Sequence, residues 1–372
     1  MPELPPKTPT DLEEVLDYLA HEQPVMLKAA AGASFRGQTL AKANFMLCDL
    51  TGCDFRDADL SGALFTCCDM ADTVFTGALL TGTTFVECDL SRADFRDCDF
   101  ERTQIVKSKA EEALFQGAAI EQSTFAVADL TRADMSDMTV TRAALVDCTI
   151  EELTLAGAVL SNFVVTKADL RGVDIGGAHI DTAVFSEADL SGKDLSRQSW
   201  QRCTFHKAAF RGTKLDNSQL NGSVFAECDF ERATMTGVSA NSTAFVKSRL
   251  DGVDLSGSVL TMANFAGSSL TGAKMIGSQL YSSVFLEADC RAVLFERCDL
   301  RQAEMSHADL SGANFSAATF YNTKLHAAKR DGSILLGVSG NAIDTDQDRA
   351  IAELYSPHVV ALSQEEIARG SR

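Results

Sequence analysis

Every fifth residue of this chain, counted from Phe35, is a large apolar side chain. The series begins Phe35, Leu40, Phe45, Leu50, Phe55, Leu60, Phe65, Met70 and runs to Leu325 without an insertion or deletion, 59 units in all. Among these centres only Ala110, Trp200, Ala240 and Cys290 fall outside Leu, Phe, Ile, Met and Val. The residue two before each centre is small (Ala43, Cys48, Cys53, Ala58). Two after it glycine recurs: 19 of the 20 glycines between Ala33 and Ala327 hold that place. Of 22 phenylalanines only Phe163 leaves the centres, and it takes a small-residue position. A helix repeats about every 3.6 residues and a strand every second one, so neither produces a strict period of five. Units this short bury their apolar side only by stacking on copies of themselves, which makes a solenoid.

The clearest units read Ala-Asp-Leu-Ser-Gly-Ala, at Ala58–Ala63 and again at Ala308–Ala313. Over Ala33 to about Ala327 the pattern resembles the pentapeptide-repeat family. That resemblance implies an all-β, right-handed quadrilateral parallel β-helix with four units per coil, each centre pointing inward beside its small neighbour. Nearly 15 coils at the inter-strand spacing of ~4.8 Å give a rod of roughly 70 Å. Open coil ends expose backbone and core, so caps are expected. Thr10-Asp-Leu-Glu13 reads as a capping box. Leu12, Val15, Leu16 and Leu19 then form the apolar stripe of a helix over about 11–22 that plugs the N-terminal end. After Leu325 the register fades at Lys329-Arg330-Asp331-Gly332. An apolar run follows (Ile334, Leu335, Leu336, Val338), then a predicted helix near Asp346 to Tyr355, and Ser363-x-x-Glu366 opens another. The expected organisation is a lead and capping helix over 1–32, the β-helix over 33–327, and a partly helical cap or tail over 328–372.

Composition narrows the function classes. Net charge is −19, a field that repels nucleic acid and anionic membrane and favours basic protein surfaces. No apolar run approaches ~18 residues, so no membrane span is expected. Met1 to Pro9 is proline-rich, without the basic-then-apolar order of a secretory signal. With eleven cysteines in such a chain, a reducing, cytoplasmic location is expected. Nine of them (48, 53, 68, 88, 98, 148, 203, 228, 298) take the small inward position and Cys290 a centre, where cysteine is a small buried hydrophobe. Cys48, Cys68 and Cys88 fall one coil apart, which leaves a metal ladder or disulfide as the alternative to plain packing. Cys67 alone is expected to face outward.

No catalytic chemistry emerges. The six histidines make no metal spacing with one another or with cysteine. Asp344-x-Asp346-x-Asp348 starts like a calcium loop, but Arg349 replaces the sixth-position glycine and Tyr355 the twelfth-position glutamate, so it reads as an acidic helix start. The glycines follow the coil period rather than any phosphate loop. The expectation is a protein that is not an enzyme and needs no cofactor or metal.

Function must then lie on the outside, and a 20-residue coil sorts the outside into four faces. The face centred on Phe45, Phe65, Phe85, Phe125, Phe185, Phe205, Phe225, Phe245, Phe265 and Phe285 carries apolar residues at its outward positions: Met46, Leu64, Val86, Val106, Val146, Val164, Val184, Val224, Val246, Val284 and Leu286. An extended apolar strip with a polar border reads as a partner or self-association surface. Strand preference of β-branched residues, or the tail folding back over them, are the alternatives. At the adjoining corner Glu187, Lys207, Glu227 and Lys247 are expected to stack as a charge ladder. The next face carries an acidic column, Asp49, Asp69, Asp89, Asp129, Asp169, Asp189, Asp229, Asp289 and Asp309. Aspartate before the centre belongs to the family consensus and stabilises the turn locally; the sharper alternative is that spaced carboxylates imitate duplex phosphates.

Irregular units predict distortion. Met138, Leu153 and Phe163 are large where small is usual, and Lys193 and Gln198 are polar at buried positions beside Trp200. The rod is expected to widen or bend over about 138–200, with Lys193 reaching solvent. Lys107, Lys109, Glu111 and Glu112 around Ala110 predict a second weak coil.

Two functions follow. The first is a non-catalytic protein–protein scaffold or adaptor using the apolar stripe and tail, similar to accessory proteins of type VI secretion loci that help load effectors or assemble the spike. Its partners would be spike, adaptor or effector proteins, or a second copy in a homodimer, with no nucleic acid and no membrane. The second is a duplex mimic binding DNA gyrase or topoisomerase IV through the acidic face, as the quinolone-resistance members of the resembled family do. An effector delivered into another cell is a third reading, though about 45 residues after the rod are few for an enzyme.

Overall fold

A computed structural model describes residues 6–354. The chain winds as a parallel solenoid in which each residue meets the one 20 positions on: Phe45 pairs with Phe65, Phe65 with Phe85, Phe205 with Phe225. We call the four sides faces I to IV, centred on the columns that include Phe45, Leu50, Phe55 and Leu60. Face I is the most regular, an eleven-stranded parallel sheet from Val25–Met26 to Val224–Ala226. Face IV forms a six-stranded parallel sheet from Asp99–Glu101 to Trp200–Gln201. Elsewhere single bridges continue the ladder from coil to coil.

The core follows from the period. Centres point inward, and on face I identical rings stack, with Phe205 5.0 Å from Phe185 and 4.8 Å from Phe225. That spacing is set by the strands rather than by the rings. Rings on opposite faces meet edge-on across the core, as Phe55 and Phe65 do, the arrangement aromatic quadrupoles favour. Hydroxyls at the small position tie coils together: Thr103 Oγ1 donates to Leu80 O at 2.7 Å and Ser123 Oγ to Phe100 O at 2.7 Å. All eleven cysteines are free; ten are buried and Cys67 is half-buried. Burial pushes the Cys53, Cys98, Cys228 and Cys298 thiols up to about 12, so these sulfurs stay protonated and inert.

The solenoid is longer than the sequence register implies. Its first rung is Val25–Met26 paired with Phe45–Met46. Its last bridges are Asp309 with Lys329, Asn314 with Ile334 and Thr319 with Ser339, so coils span about 25–339 instead of 33–327. At both ends a centre that is not large and apolar, Ala30 or Arg330, breaks the series while the backbone ladder continues. The final rung is one residue short: Thr323–Lys324 pairs with Ala342–Ile343. Gly340 absorbs the slip, because a Cβ there would strike the Phe320 carbonyl.

Helix α1 (Leu12–Ala20) covers the N-terminal end. Val15 is buried in the core, with Leu12, Leu16, Tyr18 and Leu19 packed against it. Its N-cap is Asp11, whose side chain accepts from Glu14 N at 2.9 Å; the box predicted at Thr10 and Glu13 is shifted, since Thr10 donates to the Glu14 carboxylate. Helix α2 (Gln347–Leu354) lies within the span predicted for it. The Asp346 carboxylate accepts from Asp348 N and Arg349 N, so the acidic triplet does start a helix. The second predicted helix, at 363–366, lies outside the described residues.

Between Leu145 and Trp200 the coil loosens. Aliphatic centres replace phenylalanine from Leu145 to Ile180, Leu153 and Phe163 fill from the small position, and an apolar void of about 10 Å³ remains among Leu155, Phe163, Ile180 and Trp200. The bridges that would join Thr149 to Asp169 and Asp174 to Asp194 are missing among the described residues. Lys193 does not simply reach out to solvent. It is half-buried, and its ammonium donates to Val173 O at 2.5 Å and Arg171 O at 3.2 Å, carbonyls left without backbone donors by the open ladder. Desolvation lowers its pKa. Trp200 Nε1 and Gln198 Oε1 are buried here without partners. Lys193→Met should therefore cost about 1–2 kcal/mol, by removing the charged donor from two carbonyls, and should speed amide exchange over residues 165–200. Unchanged exchange would mean that the ladder closes by itself once the ammonium is gone.

The coil around Ala110 is sound, against expectation. Ala110 is fully buried, bridges run from Asp89 through Lys109 to Asp129, and Glu112 pairs with Arg132 at 2.9 Å.

Candidate functional site: an uncharged sheet face

Inward alternation fixes which side chains face I shows the outside. Around each buried centre the residues before and after point outward, giving two parallel columns. Leu64, Val164, Val184, Val224 and Val284 stand in the first, and Met46, Val86, Val106, Val146, Val246 and Leu286 in the second. Leu64, Val224 and Leu286 are exposed and the others half-buried. Thr84, Gln104, Thr124, Ala144, Thr166 and Ser186 lie between them.

The wider regularity is what these columns lack. From Asn44 to Leu286 neither contains an Asp, Glu, Lys or Arg, and His206 is the one titratable side chain. The chain is 23% charged overall, so an uncharged surface this long is not what composition alone would give. Charge collects at its borders. At one corner Lys107 meets Glu87 at 3.6 Å and Lys167 meets Asp147 at 3.6 Å. At the other, Arg142 pairs with Glu121, and Arg202 Nε donates to Asp181 at 3.0 Å. The expected ladder of Glu187, Lys207, Glu227 and Lys247 stacks at the first corner, but no ion pair joins those four; Glu227 pairs instead with His206 at 3.9 Å.

Face II carries the acidic column, and its carboxylates are already engaged. Each of the nine accepts from the backbone N–H two residues on: Asp49 from Thr51, Asp69 from Ala71, Asp89 from Ser91, Asp129 from Thr131, Asp169 from Arg171, Asp189 from Ser191, Asp229 from Glu231, Asp289 from Arg291 and Asp309 from Ser311. This is the local turn bond of the consensus. Arg171 and Arg291 also clasp Asp169 and Asp289, and Arg211 reaches Asp229 at 2.6 Å. Lys109, Thr149, Ala209, Arg249 and Ser269 interrupt the column in space. Hydrogen bonds from arginine hold Asp169 and Asp289 below the usual carboxylate range. A lowered carboxylate pKa stabilises the fold above the unfolded value, and this contribution fades as pH falls from about 3.8 through the depressed values. Because an amide oxygen also accepts the turn N–H, Asp169→Asn, Asp189→Asn and Asp229→Asn should each shift stability by less than ~1 kcal/mol, checked by thermal unfolding at pH 7.

One side-chain cluster eluded the sequence. His307 and His326, from successive coils, have ring centroids 5.4 Å apart, and α2 sets Glu353 against them, with Oε2 3.2 Å from His307 Nε2 and 3.1 Å from His326 Nε2. Three potential ligand atoms meet there. The protonation pattern opposes a cation: Asp346 N–H donates to His326 Nδ1 at 3.2 Å, so the imidazole proton belongs on Nε2, facing the carboxylate. The trio is a hydrogen-bonded latch. The coil brings the histidines, 19 residues apart, into neighbouring positions of successive turns, with His307 N donating to His326 O, but nothing in the sequence places Glu353 beside them.

No helix among the described residues is long and apolar enough to cross a membrane. No curated protein matches the chain. Among solved structures it is similar to a pentapeptide repeat protein of the Arabidopsis thaliana thylakoid lumen, at 26% identity over 28% of this chain and 72% of that one, TM-score 0.26. HetL, a pentapeptide repeat protein involved in heterocyst differentiation regulation in the cyanobacterium Nostoc, matches at 18% identity over 82% and 96%, TM-score 0.20. QnrB1, a plasmid-mediated fluoroquinolone resistance protein, matches at 18% identity over 72% and 97%, TM-score 0.25. The family model for a pentapeptide repeat region matches residues 48–125, and the model for pentapeptide repeats matches successive segments between 181 and 328. With more than half of its residues matched and a 20-residue coil throughout, the chain belongs to the pentapeptide-repeat proteins.

Proposed function

We propose that the protein is a non-catalytic binding scaffold that docks a protein partner on face I. The observation that carries this reading is the absence of charge from both outward columns between Asn44 and Leu286, on a chain of net charge −19. Solvent contact alone gives no reason to exclude Lys and Glu from an exposed sheet, whereas a partner that desolvates the face does. Eleven strands at ~4.8 Å make the sheet about 50 Å long, and at ~10 Å wide it would bury about 1,000 Å² counting both partners, the lower bound for a specific interface. The fitting partner offers an elongated, uncharged, apolar surface.

Within this reading, the finer proposal is an accessory or effector-loading role in type VI secretion, in the cytoplasm of the producing cell. It rests on resemblance alone, the helical lead and uninterrupted rod. Capture of spike, adaptor or effector proteins by the wild-type chain supports it; their absence among the captured partners removes it. The duplex-mimic reading keeps the net charge in its favour, but carboxylates bonded to their own turns and clasped by arginine are poor copies of free phosphates.

A further inference from the structure

On faces I and IV strands or single bridges join every coil to the next. Among the described residues faces II and III each miss one rung, between Thr149 and Asp169 and between Asp174 and Asp194. The two gaps meet at one corner. Before it, Leu170 N donates to Asp189 O of the following coil at 2.9 Å; after it, Asp174 N donates to Leu153 O of the preceding coil at 2.9 Å. The chain steps from one neighbour to the other as it passes Gly172. At the turn position two after each centre the backbone is left-handed from Leu27 to Gly337, and Gly172 is the single exception. Val127 and Glu152, which such a backbone strains, adopt it, whereas this glycine, which could adopt it freely, does not. The broken ladder sets the corner, and glycine is the residue able to hold either form.

Lys193 fills the gap on face III. It starts from the small inward position, and its ammonium reaches Arg171 O and Val173 O, on either side of Gly172. From Ala43 to Thr323 only three small positions are not buried, Ala178, Lys193 and Gln198, and all three lie along this gap. We propose that Lys193 is the wedge and Gly172 the pivot of a joint in the rod, with two arrangements of one coil. In the arrangement seen, the wedge holds faces II and III open while faces I and IV stay zipped, so the rod flexes about the corner that I and IV share. In the other, the lysine side chain is withdrawn, Gly172 turns left-handed like its counterparts, and both missing rungs close. The core beneath supplies the near-balance that two arrangements need, with its void beside Leu155 and with Trp200 Nε1 and Gln198 Oε1 unpaired. Val164 and Val184 lie on the zipped side of the joint, midway along the uncharged face, so flexing changes the curvature that face I offers a partner. The joint goes beyond the scaffold reading and stands without it.

The test uses the full-length chain and no partner. Amide exchange compares wild type with Lys193→Ala and Lys193→Met. Alanine removes the bulk, so exchange over residues 149–177 should slow at least about tenfold as the rungs form. Methionine keeps the bulk without the donor, so exchange should quicken. Gly172→Ala gives an independent reading. Its Cβ would meet Glu152 N at 3.6 Å, an ordinary contact, and the backbone there is not left-handed, so the thermal midpoint of wild type should hold or rise. In the Lys193→Ala background, where the corner must turn left-handed, the same change should lower the midpoint. Spin labels on Arg132→Cys and Arg232→Cys, in a Cys67→Ser background, sit five coils apart at the corner of faces II and III, ~24 Å. Their distance distribution should be broader with Lys193 than with Lys193→Ala. Unchanged or faster exchange in Lys193→Ala, equal effects of Gly172→Ala in the two backgrounds, or equal distance distributions would each overturn the joint.

Discussion

Phe205→Ala should cost about 3–5 kcal/mol, the range for removing a buried aromatic side chain without collapse of the cavity. The Phe205 ring is fully buried, stacks on Phe185 and Phe225, and meets Phe210 edge-on at 5.1 Å. Neighbouring rings cannot close the gap, because the strand ladder fixes their spacing. Leu155→Ala should cost less, about 2–3 kcal/mol, since its site already borders a void and a loosened ladder. A solenoid holds each coil only through its neighbours, so the damage should be local. The informative readout is amide exchange resolved along the chain, with protection lost over residues 180–230 for Phe205→Ala and retained near Phe55. Uniform loss from end to end would mean that the rod unfolds as one unit.

Val184→Asp combined with Val224→Asp should weaken partner binding at least about 100-fold while leaving the rod intact. Each substitution places a carboxylate where the interface would be desolvated, and an unpaired charge there costs ~2 kcal/mol or more. In the free protein the same side chains point to solvent from regular strands, so the stability change should stay within about 1 kcal/mol, the span of strand preference. Salt separates the two binding modes. Association through face I should change little between low and moderate ionic strength, whereas association through the carboxylates of face II would fall steeply. A titration of partner at two salt concentrations reads both.

Much of this architecture was legible before any coordinates. A period of five that never slips over 59 units fixes the centres, the inward small residues and the four faces. Leu12, Val15, Leu16 and Leu19 likewise announce the N-terminal plug. What escaped were features made by contacts across coils. Ala30 and Arg330 hide the first and last coils because the backbone ladder, rather than side-chain size, continues them. Lys193 was expected at the surface; its ammonium turns inward because the opened ladder leaves Arg171 O and Val173 O wanting a donor, a demand that residue identities do not reveal. The candidate face shows the same division. Its apolar members could be named from position alone, while the strands that join them as far as Val224, the single bridges that continue the face to Val284 and the α2 latch belong to tertiary packing.

The most direct measurement is affinity capture from the source cell with three full-length baits: wild type, Val184→Asp with Val224→Asp, and Asp169→Asn with Asp189→Asn and Asp229→Asn, with captured proteins quantified by mass spectrometry. The account predicts one partner set shared by wild type and the asparagine variant and lost from the valine variant. Retention by the valine variant with loss from the asparagine variant would contradict it and place the binding site on the acidic face.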